Sequence, residues 1–233
     1  MNFIKIILII LIIIKFVKIK ETFDDYNNKS NILIITRDDR NLEYINEHDK
    51  NINKYCLKHN YVYKRIYSKC VNYPIYWCKL YDILEYLNDY DYVIWMDSDT
   101  HITQLDRRLE TIISKDITIG KDYISKNRYN AGFFVIKNSK IGKEFLIDCL
   151  NYFEKIKKKC VDENNNLLGQ WSGDCYEQGV MNKLLHTKYK NYVNLSNNIY
   201  NGTKCLKNYM IVHTYLSSSD KRLECMKNNI LKS

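Results

Sequence analysis

Proline, alanine and glycine are scarce in this 233-residue sequence, which contains one, one and seven of them. No Pro-rich or Gly/Ser-rich linker divides the chain, so we expect one globular domain. The eight cysteines include no CxxC pair, which disfavours a structural zinc site. No Arg-rich run or aromatic RNP-like strand accompanies the net charge of +9, and four of the lysines lie within the first twenty residues. We therefore expect no nucleic-acid partner.

The first twenty residues have a composition of their own. Residues 6–14 are all isoleucine or leucine, and lysines stand at both edges of the run. The stretch from Phe3 to Ile19 can cross a locally thinned bilayer if its lysine side chains reach the interfaces. Residues 20–23 offer no A-x-A-like site for a signal peptidase, although a cleaved signal peptide is the alternative. We predict a membrane anchor or signal segment over residues 1–20, a short stem over 21–30 and the globular domain over 31–233.

The even number of cysteines favours disulfide bonds, with buried free thiols as the alternative. Disulfides require an oxidising compartment, where the sequons that begin at Asn28, Asn194 and Asn201 could also carry glycans. Lysines on both sides of the apolar run leave its orientation open by charge alone. The expected location is a membrane crossed once, as a type II protein of the endoplasmic reticulum or Golgi or a viral or host equivalent.

Short β-branched runs alternate with segments of helical periodicity along the rest of the chain. The patterns predict strands over 31–36, 61–67, 92–96, 117–119, 131–136 and 209–212. They predict helices over 42–59, 75–87 after Pro74, 106–113, 139–158 and 174–186, the last capped by Asp174. This order is typical of a single α/β domain with a mostly parallel central sheet.

An acidic triplet follows the apolar strand over 92–96. Ligands bind at the carboxyl ends of strands in such sheets, and Asp97-Ser98-Asp99 stands at that position. Two carboxylates one residue apart suit Mg²⁺ or Mn²⁺, which would also bind the phosphates of a nucleotide. His213 follows the last predicted strand, and as a third ligand it would favour Mn²⁺. A solvated loop is the alternative for a lone pair of aspartates, and a structural role is the alternative for the histidine.

Several motifs occur in the order found in one enzyme family. They are WCKL at 77–80, YDYVIWMDSD at 90–99, NAGFFVIKNS at 130–139, EQ at 177–178, IVH at 211–213 and YCLKHNY at 55–61. Together they resemble the family of yeast and fungal galactosyl- and mannosyltransferases and plant xyloglucan xylosyltransferases, over roughly residues 31 to 230. Two departures are Asn60, where the family has glycine, and Thr214-Tyr215-Leu216 in place of its F-x-G.

The resemblance implies a GT-A-like, Rossmann-like fold and a retaining, Mn²⁺-dependent glycosyltransferase. Its donor would be a nucleotide-diphosphosugar, either a UDP- or a GDP-sugar, and its acceptor a glycan or glycoprotein. The implied front-face route uses the leaving phosphate to help deprotonate the acceptor, and it places Gln178 beneath the anomeric carbon. A neutral amide suits that place, because its carbonyl dipole can stabilise positive charge while the group remains a poor nucleophile.

The family's motifs carry over onto three sets of residues. The metal ligands would be Asp97, Asp99 and His213. The donor would be bound by Thr36, Lys79, Asp97, Ser98, Asn130, Gly132 and Lys221, the last from a flexible cover over 217–221. The catalytic set would be Asp174, Glu177 and Gln178. A catalytically silent sugar- or nucleotide-binding protein on the same fold is the alternative function.

Overall fold

The computed structural model of the chain describes residues 30–124, 128–215 and 217–230, without the side chains of residues 229 and 230. The predicted anchor over residues 1–20, and all but the last residue of the predicted stem, lie outside these ranges. Within them, no helix is long and apolar enough to cross a bilayer.

The strands and helices follow the predicted order along most of the chain. The strands are β1 (Ile32–Arg37), β2 (Val62–Ile66), β3 (Tyr92–Met96), β4 (Thr100–Ile102), β5 (Ile117–Asp122), β6 (Tyr129–Lys137), β7 (Val193–Asn201) and β8 (Ile211–His213). The helices are α1 (Glu43–His59), α2 (Cys78–Tyr86), α3 (Lys140–Cys160), α4 (Glu177–His186) and α5 (Ser219–Ile230). Asn60 ends α1 in the left-handed region, with φ of 60°, a conformation that glycine and asparagine adopt at helix ends.

The strands of the described residues form one sheet in the order β2-β1-β3-β6-β5-β7-β8-β4. Four neighbouring pairs are parallel: β1 with β2, β1 with β3, β5 with β7, and β7 with β8. The pairs β3 with β6, β5 with β6, and β4 with β8 are antiparallel. The predicted α/β domain with a mostly parallel sheet is therefore confirmed.

Alternate residues of β1 enter two different apolar clusters. Leu33 and Ile35 pack with residues of α2, α3 and α4, whereas Ile32 and Ile34 pack with residues of α1. A strand that is covered on both faces needs apolar side chains at every position, which accounts for the unbroken run in β1. Because helices cover both faces of this part of the sheet, a ligand can approach it only at the strand ends.

Three elements do not appear in the sequence patterns. β4 has three residues, and β7 is a polar segment that pairs with β5 and β8. Helix α5 begins within the segment 217–221 that was expected to form a flexible cover, and its Met226 packs against Tyr44 and Ile45 of α1. The predicted helix over 106–113 is wrong, since only the 3₁₀ turn Leu109–Thr111 forms there.

Six of the eight cysteines form disulfide bonds in the structure. The pairs are Cys70–Cys78, Cys160–Cys175 and Cys205–Cys225, while Cys56 and Cys149 are buried free thiols. Two of the three sequons begin in β7, where Asn201 is fully buried and Asn194 donates a hydrogen bond to the carbonyl of Ile112. Asn201 is therefore closed to glycan attachment in the folded domain. Asn28 lies outside the described residues.

Candidate metal and donor site

Strand pairing brings the acidic triplet and the distant histidine together. β3 ends at Met96, and a turn follows in which the backbone N–H of Thr100 donates to the carbonyl of Asp97 at 2.9 Å. The chain then enters β4, whose partner is the antiparallel strand β8, with Thr100 opposite His213. This register places His213 beside Asp99, although the two residues are more than a hundred positions apart.

The side chains of Asp97, Asp99 and His213 converge on a small volume. One ligand atom from each lies within 4.8 Å of the other two. The Nε2 atom of His213 is 3.0 Å from Oδ1 of Asp99 and 3.9 Å from Oδ2 of Asp97. Asp99 and His213 are buried, whereas Asp97 is partly exposed and faces the opening. Two carboxylates and one imidazole are a donor set that suits Mn²⁺.

The hydrogen bonds of His213 decide which ring nitrogen is free. Its Nδ1 lies 3.1 Å from Oδ1 of Asn130 and 3.1 Å from Oδ1 of Asn201. Both oxygens are acceptors, so Nδ1 carries a hydrogen and Nε2 points a lone pair toward the aspartates. The lone pairs of Nε2 and of the two carboxylates repel one another unless a cation or a proton lies between them. The arrangement therefore fits a bound divalent metal ion.

Gly132 makes room for the histidine ring. A Cβ atom at this position would lie 2.1 Å from Cε1 and 2.2 Å from Nδ1 of His213. Gly132→Ala is therefore expected to displace the ring and to weaken Mn²⁺ binding by about 10- to 100-fold, the range of perturbations to groups that orient metal ligands. Titration of Mn²⁺ into the variant measures this effect. The control is Gly169→Ala, which strains a left-handed backbone with φ of 88° but whose Cβ atom meets no atom within 4 Å, so it measures backbone strain without contact with the histidine ring. Equal Mn²⁺ affinity in both variants would contradict the steric explanation.

Helix α5 supplies a cation that the sequence analysis did not select. The NH2 atom of Arg222 lies 3.1 Å from Oδ2 of Asp99. Burial opposes ionisation of Asp99, but His213, when a proton takes the place of the metal ion on its Nε2, and Arg222 together outweigh burial and lower the pKa of Asp99. Lys221, the residue expected to contact the phosphates, is exposed. Arg222 therefore stands where a cation from this segment was predicted.

A buried ion-pair group lies on the other side of Asp97. The Nζ atom of Lys79 is 3.2 Å from Oδ1 of Asp97, 3.1 Å from Oε1 of Glu177 and 3.2 Å from the carbonyl of Ala131. Burial disfavours the charged form of Lys79, but the two carboxylates outweigh burial and raise its pKa. Burial raises the pKa of Glu177, and Lys79 only partly offsets this. The ammonium group thus uses all three of its donors on protein acceptors.

Gln178 is held in place at both ends of its amide. Its Oε1 accepts a hydrogen bond from the backbone N–H of Ala131, and its Nε2 donates to Oγ of Ser172, both at 2.9 Å. Helix α4 begins at Glu177 and not at Asp174 as predicted. Residues 173–176 form a turn because Cys175 is bonded to Cys160 and accepts a hydrogen bond from Trp77. Asp174 is exposed and caps no helix.

An open cavity of about 890 Å³ contains most of the predicted site residues. Those that line it are Lys79, Asp97, Ser98, Asp99, Asn130, Gly132, Glu177, Gln178 and His213. Thr36, Asp174 and Lys221 do not line it. Thr36 is fully buried and donates to the carbonyl of Met96, so it joins β1 to β3. The volume is in the range of ligand pockets for molecules of the size of a nucleotide sugar.

A polar group at the end of β1 also lines the cavity. Asp38 forms a bidentate ion pair with Arg40, at 2.9 and 2.6 Å, and accepts a hydrogen bond from Ser98 at 2.6 Å. Burial opposes its ionisation, but Arg40 and Ser98 outweigh burial and lower the pKa of Asp38. Sequence analysis missed these residues, although the run RDDR directly after a buried strand is a signal that could have found them.

Comparison with known proteins gives a result at the level of the fold. No protein-family model matches the sequence, and no curated protein matches it by sequence similarity. A glycosyltransferase involved in the glycosylation of the major capsid of PBCV-1 has a TM-score of 0.61 at 14% identity, over 85% of this chain and 99% of that structure.

Two further solved structures are similar over parts of longer chains. The glycosyltransferase GlyE of Streptococcus pneumoniae TIGR4 has a TM-score of 0.52 at 13% identity, over 85% of this chain and 60% of its own. The bifunctional glycosyltransferase WbbM has a TM-score of 0.52 at 12% identity, over 86% of this chain and 50% of its own. The described domain therefore has the fold of GT-A-type glycosyltransferases.

Proposed function

We propose that this chain is a retaining glycosyltransferase that requires Mn²⁺ or Mg²⁺. It moves a hexose or pentose from a UDP- or GDP-sugar to a glycan or glycoprotein acceptor. The observation that carries the proposal is the convergence of Asp97, Asp99 and His213 in a cavity of a GT-A fold. The resemblance to the yeast, fungal and plant transferases supports the finer assignment, including retention of the anomeric configuration.

Different residues of the cavity are proposed to hold the metal ion, to add positive charge and to position the carboxylates. Asp97, Asp99 and His213 hold the metal ion, which when bound supplies Lewis-acid stabilisation of the leaving diphosphate. Arg222 adds positive charge beside the same carboxylates, and its buried Nε has no partner among the described protein groups. Lys79 holds Asp97 and Glu177 in position, because its ammonium group contacts both carboxylates.

Gln178 is proposed to act on the charge that develops at the anomeric carbon. Gln178→Ala is expected to lower turnover about 100-fold, a loss comparable with removal of one fixed dipole at a charged transition state. Metal and donor affinities should change by less than about 3-fold, since the ground state carries little of that charge. Turnover and donor titration measure the two effects separately. Ser172→Ala is the control, because it removes only the partner of Nε2. A loss of donor affinity equal to the loss of turnover would contradict this role.

The three disulfides support a position in an oxidising compartment. We propose that residues 1–20 anchor the chain in a membrane as a type II protein, with the domain on the lumenal side. Protection of the domain from protease in sealed microsomes tests this orientation, and digestion without detergent would contradict it.

Hydrolysis of a panel of UDP- and GDP-sugars by the full chain tests the proposed function. Mn²⁺-dependent hydrolysis that EDTA abolishes supports it, because slow transfer to water needs no acceptor. Binding of a nucleotide sugar without hydrolysis or transfer would instead support the catalytically silent sugar- or nucleotide-binding protein. Retention is tested by following the anomeric proton of the first product by NMR.

A further inference from the structure

Three aromatic rings, two of which line the cavity, meet at one of its walls. The ring centroids of Tyr76 and Trp171 are 4.8 Å apart, and Tyr176 lies 5.4 Å from the first and 5.1 Å from the second. Tyr76, Trp171 and Ile75 line the cavity. Trp171 and Ile75 are each 58% exposed, so this aromatic wall presents its apolar surface to the ligand space.

Two covalent links fix the segments that carry this wall. Cys70–Cys78 ties the segment before α2, which contains Ile75 and Tyr76, to the first residue of that helix. Cys160–Cys175 ties the segment that contains Trp171 to the end of α3. The indole N–H of Trp77 donates to the carbonyl of Cys175 at 2.9 Å and joins the two segments. The exposed rings are therefore held in one arrangement before a ligand arrives, which reduces the entropy lost on binding.

The wall is connected to the residue proposed to lie beneath the anomeric carbon. Ser172, the neighbour of Trp171, accepts the hydrogen bond from Nε2 of Gln178. Lys79, which contacts Glu177, follows Tyr76 by three residues. A molecule that rests on Trp171 and Tyr76 is thus beside the reacting centre, on the side of the cavity where α4 begins.

We propose that Trp171, Tyr76 and Ile75 form the subsite for a pyranose ring of the acceptor glycan. The inference rests on the proposed function, and it names the acceptor as a cyclic sugar that stacks through its C–H face. A pyranose has an apolar face and a rim of hydroxyl groups, so it matches an aromatic surface with polar neighbours. Ser172 and Gln178 supply those neighbours.

The donor nucleotide fits the part of the cavity that contains the metal ligands better than it fits the aromatic wall. Its phosphates carry negative charge, and Arg40 and Arg222 lie beside Asp38 and Asp99, where the metal ligands also are. Among the described residues, no lysine or arginine stacks on the rings of Tyr76, Trp171 or Tyr176. A neutral ring therefore suits the aromatic wall, and an anionic nucleotide suits the charged end.

Iodide quenching of tryptophan fluorescence isolates this subsite. The chain has three tryptophans, of which Trp77 and Trp95 are 0% and 4% exposed, so iodide reaches Trp171 alone. The probes are the methyl α- and β-pyranosides of glucose, galactose, mannose and xylose, with and without UDP, GDP and Mn²⁺. At least one pyranoside is expected to lower the quenching constant about 2-fold or more, while sorbitol at the same concentration does not.

Two results of this experiment would overturn the proposal. One is the absence of shielding by every pyranoside, and the other is shielding by UDP or GDP with Mn²⁺ that no pyranoside reproduces, which would assign the wall to the donor. Neither result depends on turnover. Failure of the wild-type chain to hydrolyse any donor would count against the proposed function and not against the sugar-binding wall.

A series of variants measures how much the indole ring of Trp171 contributes to sugar transfer. With a shielding pyranoside as acceptor, Trp171→Ala is expected to raise the acceptor KM at least about 10-fold more than the donor KM, which corresponds to about 1.4 kcal/mol. Trp171→Phe keeps an aromatic face and should recover most of the loss. Leu168→Ala is the matched control, since Leu168 is 44% exposed, lies three residues away and does not line the cavity. Equal effects of Trp171→Ala on the two KM values would overturn the assignment to the acceptor.

Discussion

Asp99→Ala is expected to abolish Mn²⁺ binding and, with it, the Mn²⁺-dependent binding of a nucleotide sugar. Asp99 is the more buried of the two candidate acidic ligands, and Asp97 already contributes its own carboxylate to the same centre. Among the described residues, the group of converging ligands contains no third acid that could replace the lost hard anionic ligand. The loss of the free Mn²⁺ signal in electron paramagnetic resonance during titration measures binding directly, without any acceptor or turnover.

Two further variants separate a metal ligand from a neighbour of the metal site. His213→Ala should weaken Mn²⁺ binding by about 10- to 100-fold if water fills the vacant position. Arg222→Ala removes a cation that contacts the same carboxylate, so Mn²⁺ affinity should stay equal or rise. Unchanged Mn²⁺ affinity in both Asp99→Ala and His213→Ala would exclude this metal centre. A fall in affinity in Arg222→Ala would show that the site needs the arginine for its shape.

The sequence predicts the centre of the site well because the relevant signals are local. An apolar strand followed at once by Asp97-Ser98-Asp99 places two carboxylates at a strand end, and the parallel sheet puts that end at the ligand edge. His213 also follows a short apolar strand. Its approach to Asp99 requires the β4–β8 pairing, which no short-range pattern encodes. The convergence of His213 with the two aspartates was implied by the resemblance to known transferases.

The parts that were missed depend on tertiary contacts. Helix α5 packs against α1 through Met226, one helical turn after Arg222. The guanidinium group of Arg222 lies over the ring of Tyr44, so this packing directs Arg222 toward the site. The sequence analysis expected a flexible cover over residues 217–221 and no helix over 219–230, so it could not choose between Lys221 and Arg222. Helix α4 begins at Glu177, whereas the sequence predicted Asp174, and this difference also comes from a tertiary contact. The disulfide of Cys175 holds the preceding turn out of the helix.

Lys79→Met is expected to destabilise the domain by about 3–5 kcal/mol, the range for removal of one partner of a buried ion pair. Methionine fills a similar volume but leaves the carboxylate of Glu177 buried without its cation, near Asp97. For a domain of this size the loss corresponds to a fall in melting temperature of roughly 6–20 °C. Thermal unfolding followed by circular dichroism measures it. Activity should be lost as well, because Asp97 and Glu177 would then repel one another across the position that the ammonium group occupied.

The double variant Lys79→Met with Glu177→Gln distinguishes charge from packing. If the instability comes from the uncompensated carboxylate, neutralising Glu177 should restore most of the lost stability, since a neutral amide is far less costly to bury than a charge. Activity should not return, because Lys79 no longer fixes Asp97 next to the metal centre and because Glu177, a member of the predicted catalytic set, is changed as well. A double variant as unstable as Lys79→Met would place the loss in packing around α2. Recovery of activity together with stability would show that Lys79 has no part in positioning Asp97.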